Sequence, residues 1–492
     1  MMTRLSYIGR NYPVFVFFLP VFFVLHGARE NFGFVTLKPA LLLTLIYLAA
    51  ALILLCLSRL LLRSWRQAGL LTFLLFSFYL FFGSLHDWLK TNFPGSILVK
   101  YSFILPFTFI FLILVIILIR KKRPILSRAS LYLNVLLLLF LLSEVILITE
   151  KRFQQGEQVM LPAGLSECNN CPKPDFYLII ADEYAGNREL KELFGFDNRE
   201  FTQQLSERGF YTIPESFSNY NYTPFSVASA LNMDYLKLKD RNRGRTDLLH
   251  SYEIIRDNRL LRFLEHHGYK FYNYTYFQFK GQPPRIREQF LPSSTRLITG
   301  QTLFSRVNRD LRFHLVTRLR SKKELRKQVY GHLQHNRDLM KLTKDKASEI
   351  SAVPKFVLTH LMMPHYPYYF DSSGKERLFE ELVEGKQVNK LNYIQYLQYS
   401  NRLFLELIDH IKRTSRFSPV IVLMGDHGFR HFTEKVDTPY HFLNHVSIHL
   451  PQKNYAVFYD SISLVNLFRG VLNTNFGQQL PYLKDSSTYL RD

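Results

Sequence analysis

Long apolar runs dominate the first third of the chain, whereas the remainder alternates short apolar runs with charged and polar stretches. Some of these runs are long enough to cross a hydrocarbon core of ~30 Å as helices, and others reach that length only with flanking polar or aromatic residues. We predict about five transmembrane helices within residues 1–149, a linker at 150–173 and a separate domain at 174–492. The runs cover approximately 12–25, 39–57, 69–82, 97–119 and 131–148.

Connections rich in lysine and arginine alternate with sparser ones, which predicts the orientation of the helices. The rich connections precede the first run and follow the second and fourth runs. The amino terminus is therefore predicted to be cytoplasmic, and everything after about Thr149 extracytoplasmic. A cleaved signal peptide is the alternative for the first run, but Ala28-Arg29-Glu30 makes a poor cleavage site and four more runs follow. Glu144, within the fifth run, either faces the helix bundle or lies near the membrane interface.

The remaining two thirds of the chain have the pattern of an α/β domain. Residues 176–181 (FYLIIA) form a continuous apolar run rich in β-formers, as in a buried parallel strand. Twice, a helical pattern ends at a glycine and a strand pattern resumes, around Gly209 and Gly268. Two more apolar strands, 355–359 and 420–424, run into histidine-bearing turns. This alternation predicts a mostly parallel sheet with a functional site at the carboxyl ends of its strands.

The net charge of +22 favours an anionic partner. In a membrane protein, lipid head groups or a phosphorylated substrate fit this charge better than nucleic acid, for which no binding motif is present. The basic stretch 296–346 either lies against anionic head groups or forms a solvated helix pair. Cys168 and Cys171 form a lone CNNC, which favours a local disulfide or free thiols over zinc.

Acidic residues and a histidine stand where two of the predicted strands end. Asp182 and Glu183 directly follow the first strand, and Asp426 and His427 lie between glycines after the last. A lone strand-end acid is commonly a helix cap. An adjacent carboxylate and imidazole, however, can approach one cation, so the second pair indicates a metal site.

A hydroxyl group stands at a predicted helix start, and two imidazole groups follow the predicted strand at 355–359. Thr223 precedes Pro224 at the start of a helix rich in small residues. It is either an N-cap or a nucleophile whose attack on phosphorus the helix amino terminus would assist. His360, and then His365 in Pro-His-Tyr-Pro, follow the third strand, where a single histidine is commonly structural.

The order of these motifs resembles the alkaline-phosphatase/sulfatase superfamily: a strand-end acid, a threonine before a serine-rich helix start, PHxP and GDHG. The helical anchor narrows the resemblance to lipoteichoic acid synthases and lipid A phosphoethanolamine transferases. The resemblance implies an α/β sulfatase-like domain behind an α-helical transmembrane bundle. It also implies one divalent cation, which is zinc or manganese by ligand type, and a threonine nucleophile. The implied metal ligands are Asp182, Thr223, Asp426 and His427.

Further positions carry over less directly. His365 matches a histidine that contacts the substrate or a second metal in these families. Asp182 is preferred to Glu183 as a ligand because it directly follows the apolar strand, although sulfatases use two adjacent acids and Glu183 remains an alternative. The additional histidine of the transferases has no clean counterpart, which argues against a second metal. The nearby candidates are His431, His441 and His445.

The reaction implied is transfer of a phosphoethanolamine- or glycerophosphate-type head group from a membrane phospholipid donor to an envelope glycan or lipid acceptor. His360 and Arg430 are expected to hold the phosphate, and His365 to assist catalysis with Thr223. The enzyme would be a multi-pass protein of the inner or plasma membrane. The sulfatase signature Cys/Ser-x-Pro-x-Arg is not matched, because Thr223 occupies the nucleophile position and the arginine is missing. A sulfatase-like hydrolase and an inactive envelope scaffold are the alternatives.

Overall fold

The computed structural model describes most of the chain, which divides into two compact units. The first unit contains Met1–Glu157 and Phe290–Arg320, and the second contains Gln158–Gln289 and Ser321–Asp492. They are called here the membrane unit and the α/β unit. The residues described are 12–32, 34–35, 37–62, 64–121, 123–154, 161–168, 171–239, 241, 243–283, 295–310, 326, 329–383 and 388–491.

Five helices occupy the predicted apolar runs of the membrane unit. Four of them contain stretches long and apolar enough to cross a membrane, so the chain is an integral membrane protein. The first helix has 16 residues and is therefore about 24 Å long at 1.5 Å per residue, which is too short to cross the hydrocarbon core. Among the described residues, four helices rather than the predicted five thus reach spanning length. Arg4 and Arg10, used in the orientation argument, lie outside the described residues. The helices are α1 (Phe15–Glu30), α2 (Leu37–Leu61), α3 (Trp65–Asn92), α4 (Tyr101–Lys121) and α5 (Arg123–Gln154).

The short helix α1 packs against α2, α3 and α5 of the membrane unit. Its apolar face, including Phe15 and Phe23, is buried against aromatic and aliphatic side chains of α2 and α3. On α5, Glu144 is 5% exposed and accepts a hydrogen bond of 2.6 Å from Arg29 Nε and one of 2.8 Å from His26 Nδ1. Glu144 therefore faces the bundle, where the two partners on α1 compensate its burial.

A segment distant in sequence, residues 295–310, packs on these helices; we call it the return segment. The backbone N–H of Gly83 donates to Gln301 O at 2.7 Å. A Cβ atom at Gly83 would lie 2.2 Å from Gln301 Oε1, and one at Gly27 would lie 2.7 Å from Ile298 Cγ2. The two glycines thus leave notches in α1 and α3 that the return segment fills.

Polar contacts also hold the return segment to the membrane helices. Arg306, which is 6% exposed, donates to both carboxylate oxygens of Asp87, at 2.8 and 2.5 Å. Tyr101 donates to Asp310 Oδ2 at 2.7 Å. The basic stretch predicted at 296–346 therefore does not form one helix pair in the described residues: its beginning lies in the membrane unit, and 331–348 is a helix of the α/β unit.

A six-stranded sheet in the order β2-β6-β5-β1-β4-β3 forms the centre of the α/β unit. The pairs among β3, β4, β1 and β5 are parallel, and β6 pairs antiparallel with β5 and β2, so the mostly parallel sheet is confirmed. Every residue of β1 is buried, as its continuous apolar run predicts. The strands are β1 (Phe176–Ala181), β2 (Tyr211–Thr212), β3 (Lys270–Tyr274), β4 (Lys355–Leu361), β5 (Val420–Gly425) and β6 (Val446–His449).

Helices connect these strands, and Cys168 and Cys171 form a disulfide ahead of β1. Among the described helices of the α/β unit, the longest is α13 (Lys390–Thr414), which buries a stripe of tyrosine, leucine, isoleucine and phenylalanine side chains. The helices of the α/β unit are α6 (Asn187–Phe194), α7 (Arg199–Glu207), α8 (Thr223–Asn232), α9 (Arg245–Arg256), α10 (Arg259–His266), α11 (Gly331–Ser348), α12 (Phe379–Val383), α13 (Lys390–Thr414) and α14 (Leu464–Phe476).

Candidate active site

The candidate site lies at the carboxyl ends of the three central strands. Ala181, the last residue of β1, is in register with Leu361 of β4 on one side and with Gly425 of β5 on the other. Because these strands are parallel, the loops that follow them leave the same edge of the sheet. The sequence motifs after β1, β4 and β5 therefore meet there, as predicted.

Asp182 and His360 form a buried pair at this edge. His360 Nε2 donates to Asp182 Oδ2 at 2.9 Å, and neither side chain is more than 1% exposed. Burial acts to raise the pKa of Asp182, but the hydrogen bond from His360 and the charges of neighbouring histidines hold that pKa below its ordinary value. Asp182 Oδ1 has no hydrogen-bond partner among the described residues. His360 thus contacts a predicted ligand and has no exposed surface.

Asp426 and His427 lie in the loop after β5, and each is fully buried. Asp426 Oδ1 accepts backbone N–H groups of Glu183 at 2.8 Å and of His427 at 3.0 Å, whereas its Oδ2 has no hydrogen-bond partner among the described residues. Burial, together with the negative charge of Asp182, raises the pKa of Asp426 to about 6. Burial and the charge of Arg430 lower the pKa of His427 to about 4, so its imidazole is neutral at pH 7.

Thr223 is the first residue of α8, but it is not the residue that caps it. The N-cap is Tyr222, and no side chain caps the helix. Thr223 Oγ1 lies 3.3 Å from His427 Nε2 and is buried. Ser226, one turn later, donates from Oγ to the backbone carbonyl of Asp426 at 2.5 Å, which fixes the start of α8 against the β5 loop.

The side chains at this point fit a divalent cation. Two carboxylate oxygens without hydrogen-bond partners, Asp182 Oδ1 and Asp426 Oδ2, are buried there. The Nδ1 of His427 is directed to the carbonyl of Gly428 at 2.8 Å, so the lone pair of Nε2 faces Thr223. Buried carboxylates are costly unless they are paired or bind a metal, and oxygen and imidazole donors suit zinc or manganese. His360 is also close enough to share such an ion, since its ring nitrogen and oxygens of Asp182 and Asp426 lie within 4.8 Å of one another.

A second group of possible ligands is centred on Glu183. Its carboxylate is fully buried, with Oε1 3.4 Å from His431 Nε2 and Oε2 3.9 Å from His365 Nε2. Glu183 has a φ of 61°, a left-handed conformation that is uncommon outside glycine and is retained where the surroundings enforce it. Of the three nearby candidates for the additional histidine of the transferases, His431 is the one in this group. The prediction weighed against a second metal, and the described residues contain this further set of donors.

Arg430 also belongs to this cluster. Its Nε lies 3.9 Å from Glu183 Oε1, and its guanidinium carbon lies 5.1 Å from the centre of the Tyr222 ring. The positions predicted after β1, β4 and β5 and at the start of α8 are therefore all part of one cluster. Within it, His360 contacts Asp182, and Arg430 and His365 contact Glu183.

Two residues on other elements, which the sequence did not indicate, also shape the site. Glu189 of α6 is buried and accepts the backbone N–H of Phe429 at 3.1 Å, and burial followed by the charge of Glu183 raises its pKa. Tyr393 of α13 donates to the carbonyl of Glu183 at 2.8 Å and accepts from Ala185 N at 3.1 Å. Both residues stand on helices with ordinary amphipathic patterns, so no local signal separates them from core or surface positions.

Comparison with known proteins gives structural likeness only: no family model matches the chain, and no curated protein matches its sequence. The C-terminal periplasmic domain of EcEptC from Escherichia coli is 15% identical, with 68% of this chain and 94% of that chain covered and a TM-score of 0.40. The same domain is also known in complex with Zn. Lipooligosaccharide phosphoethanolamine transferase A (EptA) from Neisseria meningitidis is 11% identical over 94% of this chain and 96% of that chain, with a TM-score of 0.37.

A third similar structure is BT1596, a 2-O GAG sulfatase, which is 11% identical over 64% of this chain and 73% of that chain, with a TM-score of 0.38. Phosphoethanolamine transferases and sulfatases are the kinds of protein that the order of motifs resembles. At such identities and scores, however, the likeness assigns no activity to this chain, and the functional argument depends on its own residues.

Proposed function

We propose that the α/β unit transfers a phosphate-linked head group from a membrane phospholipid to an envelope glycan or lipid, on the extracytoplasmic side of the membrane, with Thr223 as the nucleophile. The observation that carries the proposal is the position of the Thr223 hydroxyl. It is buried at the amino terminus of α8, 3.3 Å from the His427 imidazole, in a cluster with two carboxylate oxygens that have no hydrogen-bond partners among the described residues.

One divalent ion, zinc or manganese, would be held by Asp182, Thr223, Asp426 and His427. When bound, it would lower the pKa of the threonine hydroxyl and offset negative charge near phosphorus. The protein contributes ligands fixed by backbone contacts: Asp426 Oδ1 is already held by two N–H groups, so its Oδ2 keeps one direction. His360, which donates to Asp182, is proposed as a positioning residue rather than one that touches the substrate.

In the first displacement, Thr223 Oγ, after losing its proton to water, attacks phosphorus. The Oγ–P bond forms and the bond between phosphorus and the diacylglycerol oxygen breaks. His365 Nε2 supplies the proton that this leaving oxygen needs. His365 suits the task because its Nδ1 keeps one proton, which it donates to Tyr366 O at 2.6 Å, so the imidazolium form would give up the proton on Nε2, which faces Glu183.

In the second displacement, an acceptor hydroxyl attacks the same phosphorus. A new P–O bond forms, the bond to Thr223 Oγ breaks, and the acceptor proton passes to His365 Nε2. Thr223 Oγ, which leaves as an alkoxide, takes a proton back from water, and this restores the starting state. The amino terminus of α8 and the Arg430 guanidinium stabilise the anionic phosphoryl group in both steps. Water in place of the acceptor would make the protein a hydrolase, which is the second candidate.

Mass spectrometry of the peptide that contains Thr223 tests the proposal directly. We expect purified full-length protein, incubated with cell lipids, to carry a phosphate-linked adduct on Thr223 that disappears when an acceptor is added. Release of free head-group phosphate without any acceptor would identify the hydrolase. An unmodified Thr223 with no turnover and no bound metal would support the inactive scaffold and overturn the proposal.

A further inference from the structure

A cavity of about 340 Å³ opens at the surface of the α/β unit, and its lining residues are outside the Thr223 cluster. Its walls come from α7, from the turn that precedes α7 and from α13. Small-molecule sites have volumes of about 300–1,000 Å³, so this cavity suits a compound of one or two rings. The lining includes Phe196, Asn198, Phe201, Gln204, Gln398 and Asn401.

Amide side chains form the polar part of this cavity, and aromatic side chains form its apolar part. An amide both donates and accepts hydrogen bonds, which matches a hydroxyl group, since a hydroxyl also does both. Phe201 is buried and Phe196 is half-buried, so their rings provide apolar surface. Charges of both signs stand at the rim, where the exposed Asp197 and Glu200 would repel an anion and the exposed Arg402 would repel a cation. A neutral sugar ring, with several hydroxyl groups and a C–H face, fits both parts.

One buried side chain joins the floor of the cavity to the active site. Tyr184 donates from its hydroxyl to Asn401 Oδ1 at 2.6 Å, and Asn198 Nδ2 donates to the same hydroxyl at 3.2 Å. Tyr184 directly follows Asp182 and Glu183 in the sequence. The length of one tyrosine side chain therefore separates the cavity from the backbone that carries both acids, and a molecule bound in the cavity would lie beside the active site.

We propose that this cavity is a carbohydrate subsite that binds one neutral glycosyl unit. The half-buried amides of Gln204 and Gln398 would bond its hydroxyl groups. Asn401 would add a further contact, because its bond of 3.0 Å to Asn198 Oδ1 uses one of the two N–H groups of its amide. Phe196 would pack against the C–H face of the sugar.

The source of the sugar links this inference to the proposed reaction. Binding of a glycosyl unit does not depend on the chemistry at Thr223. Its assignment to the acceptor rests on the proposed function, since it assumes transfer to an envelope glycan. In that case the cavity holds one unit of the glycan while another unit presents its hydroxyl to the phosphorus.

Calorimetric titration of the full-length protein tests the subsite. An amine-oxide detergent is used, because a glycoside detergent would carry a competing sugar. The probes are the neutral disaccharides maltose, cellobiose and diacetylchitobiose. We expect at least one of them to bind at one saturable site with a Kd of about 1 mM or tighter, and neither phosphate nor ethanolamine to compete with it. The absence of saturable binding by all three, or competition by either ion, would overturn the subsite.

Two neighbouring glutamines of α7 provide matched variants. Gln204 lines the cavity, whereas Gln203 is exposed and does not line it. Each donates to a glutamate one turn away, Gln204 to Glu200 at 3.3 Å and Gln203 to Glu207 at 3.2 Å, so leucine removes a comparable contact from either position. We expect Gln204→Leu to weaken disaccharide binding about fivefold, as loss of a hydrogen bond does, and Gln203→Leu to leave it unchanged. Equal affinities in the two variants would contradict the assignment.

The length of the probe distinguishes a glycan from a free saccharide. A hexasaccharide of the same sugar should bind more tightly than the disaccharide if the cavity holds one unit of an acceptor glycan, because further units would contact the surface around it. Equal affinity would keep the subsite and reject its assignment to the acceptor.

The two proposals fail separately. Sugar binding by an active protein whose Thr223 stays unmodified would reject the nucleophile and keep the subsite. A phosphate-linked adduct on Thr223 in a protein that binds no disaccharide would reject the subsite and keep the proposed function.

Discussion

Thr223 stands at the start of α8, but its hydroxyl does not cap that helix. Tyr222 is the N-cap of α8, and Pro224 follows Thr223 in the first turn, where a missing N–H costs no hydrogen bond. The fold therefore does not require the hydroxyl for the helix to begin. A substitution that removes the Thr223 hydroxyl should therefore affect activity much more than stability.

Substitution of Thr223 tests that separation. Thr223→Ala should cost about 1 kcal/mol of stability or less, since no cap is lost, while activity on a phospholipid donor should fall by orders of magnitude. Thr223→Ser, which keeps a hydroxyl at the same place, should retain measurable turnover. Thermal melting and head-group transfer are measured on the same preparations. Near-native turnover by Thr223→Ala would exclude the nucleophilic role.

Asp426 offers a second residue-scale prediction, because its two carboxylate oxygens do different things. Asn in its place keeps the oxygen that accepts the N–H groups of Glu183 and His427, but replaces the unpartnered Oδ2. We expect Asp426→Asn to purify as a folded protein that has lost most of its bound metal, measured by elemental analysis.

Asp409→Asn is the matched control. Asp409 is not part of the cluster, and its Oδ1 forms an ion pair with Arg208 Nε at a distance of 2.7 Å. It should retain the metal content of the unmodified chain. Equal metal content in the two variants would mean that Asp426 is not a ligand.

At the scale of elements, local sequence patterns predicted the strands whose formation depends mainly on their own residues. β1, β4 and β5 were found because each is an apolar run that ends in polar residues, and the site at their carboxyl ends follows from parallel pairing. β6 was not predicted, since Ser447 and His449 interrupt its apolar pattern. The position of His431 near Glu183 depends on the course of a loop, which spacing alone does not determine.

The return segment was missed for the same kind of reason. Its contacts with α1 and α3 join residues more than two hundred positions apart, and the glycines that admit it look like ordinary helix glycines in the sequence. A helical glycine is a destabilising choice by about 1 kcal/mol relative to alanine. The notch contacts explain why glycine stands at these positions.

Gly83→Leu tests the notch in α3. The substitution should raise helix propensity but place side-chain atoms where Gln301 lies, and we expect a net loss of about 1–3 kcal/mol with detachment of the return segment. Limited trypsin digestion should then cleave at Arg306, which is buried in the native protein. Ser84→Leu, at the next and exposed position of the helix, should leave the digestion pattern unchanged. A stable, uncleaved Gly83→Leu protein would show that the segment does not depend on the notch.

At the scale of the whole molecule, the charge bias of the connections predicts on which side of the membrane the α/β unit lies. A reporter fused after Asp492 should be active as an alkaline phosphatase, which needs an extracytoplasmic position, and a fluorescent protein that folds only in the cytoplasm should stay dark there. Fluorescence at this position would reject the orientation. The envelope substrate would be rejected with it.

The return segment also sets an order of events during synthesis. The first part of the membrane unit ends at Glu157, and its second part is residues 290–320. The unit is therefore complete only when the ribosome has made about 150 further residues. At roughly 5–20 residues per second, a ribosome needs on the order of 8 to 30 seconds for that stretch. Through this interval the nascent helices carry two unfilled notches, and Asp87 lacks its arginine. A ribosome that stops after the last transmembrane helix therefore releases helices that lack the return segment, and we expect such a chain to be less stable than the full-length membrane unit.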